Sequence, residues 1–322
     1  MTQTLRQVSM PYPEPRLRRQ SLDRLAEGAF FLITVLPFVI LVSVVVALAL
    51  RARPILELHS IGELLTGSTW KPMQGLFGFL PFILGTFWVT ILALVLAVPP
   101  CLLTAIYLAE YVRVRTALIA KPLLDLLAGI PSVVYGVWGM VAIVPWVQRL
   151  KPLLSSRLGF IPLFTTDNPT GFSILAGGIV LAVMIVPFII AVTYEVLRTV
   201  SVGSREASLA VGATKWQTIH YAVLPQALPG IVAGVVLGAS RALGETMAVL
   251  MVVGNVVKIP TSIFDPAYPL PALIANNYGE MLSIPMYDAA LLGAALVLLL
   301  IVLFFNILST LALRHIIGRK RV

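Results

Sequence analysis

Six long apolar segments constrain this sequence more than any other feature. A helix that crosses the hydrocarbon core of a bilayer needs about 20 mainly apolar residues. The segments that meet this length are 28–50, 79–108, 126–147, 172–194, 230–257 and 289–313. Hydrophobic residues make up 59% of the chain, which is more than soluble domains carry. The sequence therefore predicts an all-α integral membrane protein with six spans.

The positive charges indicate how these spans are oriented. If the N-terminus is cytosolic, the cytosolic segments hold fifteen lysines and arginines and the opposite side holds seven. Loops rich in Lys and Arg stay on the cytosolic side, so we expect an N-in, C-in topology with cytosolic basic tails at 1–27 and 314–322. The net charge of +9 then reflects topology and attraction to anionic lipid, not nucleic-acid binding. The first apolar segment lacks a small-residue cleavage site, which favours a retained helix over a signal peptide.

The polar interval 195–229 separates the fourth and fifth spans and predicts two short helices. Ser204 is expected to cap the first helix, with Glu206 in the opening turn near the positive end of the helix dipole. Gly212 can adopt the left-handed conformation that ends this helix. A compact pair of helices at this place suits docking into a partner, and an ordinary capped loop is the alternative.

The second helix of this interval has its own start and stop signals. Thr214 and Gln217 form the pattern of a capping box, which predicts a helix from about Lys215. Pro225 is expected to end it, because Leu224 precedes a proline and is disfavoured in the helical region.

The same interval resembles the coupling loop of ABC importer permeases. The family pattern is Glu-Ala-Ala, three residues, Gly, nine residues and then Ile-x-Leu-Pro. The matching residues are Glu206, Ala207, Gly212, Leu224 and Pro225, and the departures are Ser208 and Ala222. The resemblance implies that this loop docks into a cleft of a cytoplasmic ATPase subunit, which pulls on the membrane helices through it.

Four further blocks resemble the permeases of Pst-type phosphate importers. They are residues 77–86 (FGFLPFILGT), 105–111 (AIYLAEY), 128–136 (AGIPSVVYG) and 241–248 (RALGETMA). The resemblance implies a MetI-like, type I importer permease of the bacterial inner membrane, with its permease domain at 28–313, that conducts inorganic phosphate. It also implies a PstA-like second permease, a PstB-like ATPase dimer that binds ATP and Mg, and a PstS-like binding protein outside.

Arg241 and Glu245 are the candidate residues of the substrate path. A charge inside a span is costly unless it is paired or faces water, so such residues default to functional candidates. At positions i and i+4 of one helix the two side chains can pair, and they fall near the face that carries Gly230, Gly234 and Gly238. We expect Arg241 to bind phosphate oxygens and Glu245 to orient it; a purely structural interhelical salt bridge is the alternative.

Other function classes fit the sequence less well. A secondary transporter would show repeated halves around an ion site, and no internal repeat is visible. A membrane enzyme or metal protein would need grouped ligands, whereas Cys101 is the single cysteine and the histidines are scattered at 59, 220 and 315. No Walker A motif is present, so ATP use requires a partner. A permease for sulfate or molybdate remains open, because its coupling loop would be similar.

Overall fold

The computed structural model describes residues 16–165, 167–279 and 286–318. The first part of the predicted N-terminal tail and the last four residues of the C-terminal tail lie outside the described residues. By its internal contacts the chain divides into two compact units, Met1–Leu50 and Arg51–Val322. The functional residues considered below all belong to the second unit.

Helices form nearly all of the described structure. In chain order they are α1 (Arg16–Leu58), α2 (Ile61–Thr66), α3 (Leu80–Ile106), α4 (Val114–Ala128), α5 (Ser132–Trp138), α6 (Val144–Leu158), α7 (Ile174–Thr199), α8 (Val202–Ala210), α9 (Lys215–Thr218), α10 (Leu224–Leu243), α11 (Met247–Leu250), α12 (Leu270–Asn277) and α13 (Tyr287–Gly318). A two-stranded antiparallel sheet pairs β1 (Trp70–Lys71) with β2 (Leu76–Phe77). Short π-helical turns cover Tyr107–Tyr111, Gly139–Ile143 and Ile219–Val223, and 3-10 turns cover Pro72–Gln74 and Pro162–Phe164.

The prediction of six spans is confirmed within the described residues. The stretches long and apolar enough to cross a membrane are Ala26–Leu58, Leu80–Tyr111, Ser132–Leu158, Ile174–Thr199, Lys215–Leu243 and Tyr287–Arg314. Four of them match the predicted segments closely, and the third and fifth do not.

The third span begins later than predicted, at Ser132 instead of near residue 126. The chain before it forms a separate helix, α4, which ends at Ala128. Pro131 stands immediately before α5 with φ −59° and ψ 139°. Proline has no N–H to donate to a carbonyl of the preceding turn, and its ring clashes with that turn, so α4 does not continue through it. The predicted start of the span is therefore wrong, and the helical structure breaks at Pro131.

The fifth span also differs from the predicted 230–257. Helical structure runs without interruption from Lys215 through the π-helical turn Ile219–Val223 to Leu243. Pro225 does not end the helix: it is the second residue of α10, directly after the π-helical turn, and helical structure continues past it to Leu243. The helix instead stops at Leu243, and Gly244 caps it.

Helix α7 is the centre of the second unit. It packs against α3, α10 and α4, and its buried residues include Ile174, Leu181, Ile185 and Ile189. Small residues of α3, such as Ala93, Ala97 and Cys101, belong to the same cluster. Small side chains let membrane helices approach closely, so α3, α7 and α10 form one tightly packed group that carries the polar interval at one end.

Candidate functional site

The helix α8 begins at a serine, but not at the predicted one. Ser201 is the N-cap residue, and its hydroxyl oxygen accepts a hydrogen bond from the Ser204 N–H at 3.2 Å. Ser204 therefore lies in the first turn, and Glu206 lies beyond that turn with an exposed side chain. The prediction that Ser204 caps this helix was wrong. Helix α7 continues to Thr199, so Ser201 is the first residue after it that can cap α8.

Gly212 adopts the predicted left-handed conformation, with φ +85°. Its N–H donates to the Leu209 carbonyl at 2.9 Å, and the Ala213 N–H donates to the Ser208 carbonyl at 3.3 Å. These bonds satisfy the carbonyl groups that the end of a helix leaves open. Gly212 thus closes α8 and redirects the chain towards α9.

The predicted capping box at the start of α9 is confirmed. The Gln217 N–H donates to Thr214 Oγ1 at 3.3 Å, and the Thr214 N–H donates to Gln217 Oε1 at 2.8 Å. A contact of 3.0 Å between the hydroxyl oxygens of Ser208 and Thr218 joins the two helices directly. We call the segment 201–218, which contains α8, the Gly212 turn and α9, the knob.

The knob exposes several large apolar side chains. Val211 is 84% exposed and Trp216 is 53% exposed, and Val202 and Leu209 are exposed as well. Grouped apolar side chains of this kind mark surfaces that bind another protein. Glu206, Ala207 and Gly212 are exposed on the same segment, whereas Leu224 and Pro225 of the family pattern are half-buried in α10.

A partly buried ion pair beneath the knob was not predicted from the sequence. Arg205 Nη2 lies 2.7 Å from Glu110 Oε1, with side chains only 20% and 8% exposed. Arg205 also donates to the carbonyl oxygens of Leu197, at 2.8 Å, and Val200. Glu110 lies in the block 105–111 and Arg205 directly precedes Glu206 of the coupling-loop pattern, but 95 residues separate them, so no local pattern pairs them.

A second contact joins the knob to the same turn. Lys215 Nζ lies 4.7 Å from the centre of the Tyr111 ring, within the range of a cation–π interaction. Tyr111 and Glu110 both belong to the π-helical turn Tyr107–Tyr111. The two helices of the knob therefore each contact the end of α3.

The glycines of α10 pack against α7, as their spacing predicts. A Cβ atom on Gly234 would lie 3.0 Å from Val192 Cγ1, and one on Gly238 would lie 2.7 Å from Ile189 Cγ1. At Gly230 the side chain of Val196 fills the corresponding space. The small residues thus let α10 and α7 approach closely.

Arg241 follows this stripe and faces an aromatic ring. Its guanidinium carbon lies 4.0 Å from the centre of the Phe188 ring of α7, which is close cation–π geometry. Arg241 is nevertheless exposed within this single chain. The guanidinium therefore has N–H groups available to a further partner.

Arg241 and Glu245, which could pair if both lay on one helix, are not paired in this structure. The ion pairs found among the described residues do not include this one. Because α10 ends at Leu243, the two residues are not one helical turn apart. Glu245 Oε1 instead accepts a hydrogen bond from the Ala248 N–H at 3.2 Å, at the start of α11.

A further ion pair links α4 to α7 at an exposed position. Lys121 Nζ lies 2.5 Å from Glu195 Oε1, and both side chains are more than half exposed. The hydrogen bond to Glu195 raises the pKa of Lys121 above its ordinary value. Such exposed pairs contribute little to stability, so this contact serves below as a control.

The six spans define a multi-pass membrane protein. Residues 101–322 match the family described as "Binding-protein-dependent transport system inner membrane component". The chain belongs to this family of ABC transporter permeases, and it is a protein of the inner membrane.

Named relatives refine this assignment. The chain is 35% identical over 280 residues to "Phosphate transport system permease protein PstC" of Xylella fastidiosa strain 9a5c, covering 85% of each chain. It is 37% identical over 269 residues to the PstC protein of Mesorhizobium japonicum, covering 80% of each. It is 37% identical over 262 residues to "Probable ABC transporter permease protein YqgH" of Bacillus subtilis, covering 81% of this chain and 79% of that one. The predicted resemblance to PstC-type ABC permeases is confirmed.

Solved structures of ABC transporters are also similar. The inward-facing MetNI methionine ABC transporter matches with a TM-score of 0.48 and 20% identity, covering 72% of this chain and 91% of that chain.

Proposed function

We propose that this chain is the permease subunit of an ATP-driven inorganic phosphate importer and forms half of its translocation path. The observation that carries the proposal is the similarity to phosphate transport permeases over 85% of the chain. A permease for another oxyanion, sulfate or molybdate, is the alternative within the same class.

Arg241 is the residue that we assign to the substrate. It is the one charged residue of α10, and no carboxylate neutralises it among the ion pairs of the described residues. A guanidinium offers a planar fork of N–H donors that matches two oxygens of a tetrahedral oxyanion. The Phe188 ring beneath it holds the planar group in place, leaving its edge for the anion.

One guanidinium does not neutralise a phosphate dianion, so a second basic group is needed. We assign that group to a PstA-like permease that completes the path as a heterodimer with this chain. Glu245 stands close along the chain and is fixed by its bond to the Ala248 N–H. We assign Glu245 a role in gating the path. Its negative charge repels the anion unless the guanidinium of Arg241 binds that anion.

The knob is the part that we assign to coupling. Glu206, Ala207 and Gly212 shape its surface and turn, and Leu224 with Pro225 begins the membrane helix that continues from it. The exposed apolar side chains of the knob fit a cleft on a PstB-like ATPase dimer, which would hold ATP and Mg. A PstS-like binding protein would deliver phosphate from the other side.

The experiment that tests this proposal uses liposomes containing this chain with its partner permease, ATPase dimer and binding protein. ATP hydrolysis and uptake of labelled anion are measured together, with phosphate, sulfate or molybdate bound to its matched binding protein. We expect phosphate to stimulate hydrolysis and to be taken up, and Arg241→Ala to lose the uptake while the complex still assembles.

Two other outcomes would show which part of the proposal is wrong. Stimulation by sulfate or molybdate alone would leave the importer class in place and refute the substrate. Transport that does not depend on added ATPase would refute the coupling role and favour a secondary transporter.

A further inference from the structure

We infer that the π-helical turn Tyr107–Tyr111 at the end of α3 receives the movement of the knob, and that Arg205 is the positioning residue that fastens the two together. This inference rests on the proposed function, because it names the route by which ATPase movement enters the membrane helices. The chain itself joins the knob to α7 and α10. The proposed route adds α3 as a third helix.

The covalent connections of the knob reach two membrane helices. The chain enters α8 from α7 through residues 200–201, and it leaves α9 through the turn Ile219–Val223 into α10. Neither connection is continuous in the chain with α3, although α3 packs along α7 and also contacts α10. Without a further link, a pull on the knob would reach α3 only indirectly.

The Arg205–Glu110 pair supplies a direct link. Arg205 Nη2 donates to Glu110 Oε1 at 2.7 Å, and Arg205 Nε donates to both carboxylate oxygens, to Oε1 at 3.3 Å and to Oε2 at 3.4 Å. The same guanidinium donates to the carbonyl oxygens of Leu197 and Val200 at the end of α7. Arg205 therefore ties α8, α7 and α3 together at one point.

Burial makes this link costly to open. Removing one partner of a largely buried ion pair leaves an unpaired charge in a poorly solvated place. The Glu110 carboxylate, 8% exposed, has little access to replacement water. Movement of α8 is thus expected to carry the Tyr107–Tyr111 turn with it.

A second contact holds the same turn from the other half of the knob. Lys215, the first residue of α9, lies over the Tyr111 ring, and Tyr111 stacks on Tyr107 with ring centres 6.2 Å apart. The Ser208–Thr218 contact keeps α8 and α9 together. Because π-helical turns often occur at functional sites in helices, this turn is a suitable place for α3 to receive force.

The first test measures phosphate taken up per ATP hydrolysed in the reconstituted complex. A partly misfolded population lowers uptake and hydrolysis together and leaves their ratio unchanged, whereas a broken transmission lowers the ratio. We expect Glu110→Gln to lower it by about tenfold, since the amide cannot pair with the buried guanidinium charge. Lys121→Gln, which breaks an exposed pair of α4 and α7, should keep the wild-type ratio.

The second test replaces the ion pair with a reversible covalent link. Cys101 is the single cysteine, so a Cys101→Ala background allows Glu110→Cys and Arg205→Cys to be joined by a short bifunctional methanethiosulfonate reagent. We expect the unlinked double variant to show the low ratio, the linked form to regain most of the wild-type ratio, and reduction to abolish it again.

The outcomes separate this inference from the proposed function. If wild type shows no phosphate-dependent hydrolysis, the proposed function fails. If wild type is coupled and Glu110→Gln takes up as much phosphate per ATP hydrolysed, the inference is overturned. It is also overturned if the linked form does not transport, because the end of α3 then does not move with the knob.

Discussion

The guanidinium carbon of Arg241 lies 4.0 Å from the centre of the Phe188 ring, so the charge inside the fifth span rests on an aromatic face of α7 and not on a carboxylate. A ring attracts a cation without satisfying its N–H donors. The arginine is thereby positioned while its hydrogen-bonding capacity stays available, which is the property required of a transient anion site.

Replacement of Arg241 should therefore act on transport more than on folding. We expect Arg241→Ala to lower phosphate uptake by about 100-fold, since hydrogen bonds to charged groups contribute about 1.5–3 kcal/mol each. Arg241→Lys should recover only part of the loss, because an ammonium cannot form the two-pronged contact. Uptake in liposomes, normalised to assembled complex, is the measurement, and unaltered uptake in Arg241→Ala would return this residue to a structural role.

Glu245 should behave independently of Arg241 in the conformation described here. Its carboxylate bonds the Ala248 N–H, so we expect a double-mutant cycle of Arg241→Ala and Glu245→Ala on thermal stability to give a coupling energy below about 0.5 kcal/mol. Glu245→Gln should be milder than Glu245→Ala, because the amide oxygen can accept the same bond. A coupling above about 1 kcal/mol would indicate that the two residues pair after all.

Gly212 should be required for its backbone conformation and not for space. Nothing lies within 4 Å of a Cβ atom built at Gly212 or at Gly203, but only Gly212 has a positive φ, +85°. We expect Gly212→Ala to cost about 1–2 kcal/mol, and Gly212→Pro, whose ring holds φ near −65°, to uncouple ATP hydrolysis from uptake while membrane insertion persists.

Gly203→Ala is the matched control for this prediction. It lies inside α8, where alanine is preferred over glycine by roughly 0.5–1 kcal/mol. Normal coupling in Gly212→Pro would refute the assigned role of the turn.

The contact between Gly230 and Val196 should show size complementarity. A Cβ atom on Gly230 would lie 3.1 Å from the Val196 Cβ and closer still to its methyl groups, so Gly230→Ala should destabilise the protein by about 1–3 kcal/mol. Adding Val196→Ala should restore most of this loss, as followed by thermal unfolding in detergent. Gly62→Ala, where the nearest atom is 3.9 Å away, should have little effect, and an equally large loss there would show that the Gly230 effect is not steric.

The Lys121–Glu195 pair gives a prediction about pH. Its hydrogen bond raises the pKa of Lys121 above 10.5, so the contribution to stability is fully present below that pH and is lost as pH rises through the folded-state value. The difference in thermal stability between wild type and Lys121→Gln should stay constant between about pH 6 and 9 and shrink only above pH 10.5. A change near neutral pH would contradict the assignment.

Local patterns were sufficient for a large part of this protein. The six apolar segments, the capping box of Thr214 and Gln217, and the left-handed Gly212 follow from composition and from contacts within a few residues. The spacing of Gly230, Gly234 and Gly238 also predicted a close-packing face correctly, because a helix repeats its faces at a constant angle. The sequence by itself thus determined the class of protein and the surface of the knob.

Tertiary structure decided what the charges do. Glu110 and Arg205 are paired by the packing of α3, α7 and α8, and no short-range signal contains that information. Arg241 was expected beside Glu245 on one helix, but α10 ends at Leu243 and places the arginine on Phe188 instead. Where a helix ends and which distant side chains pair both depend on the partners that are available in the folded chain. Those partners are fixed only when the helices pack.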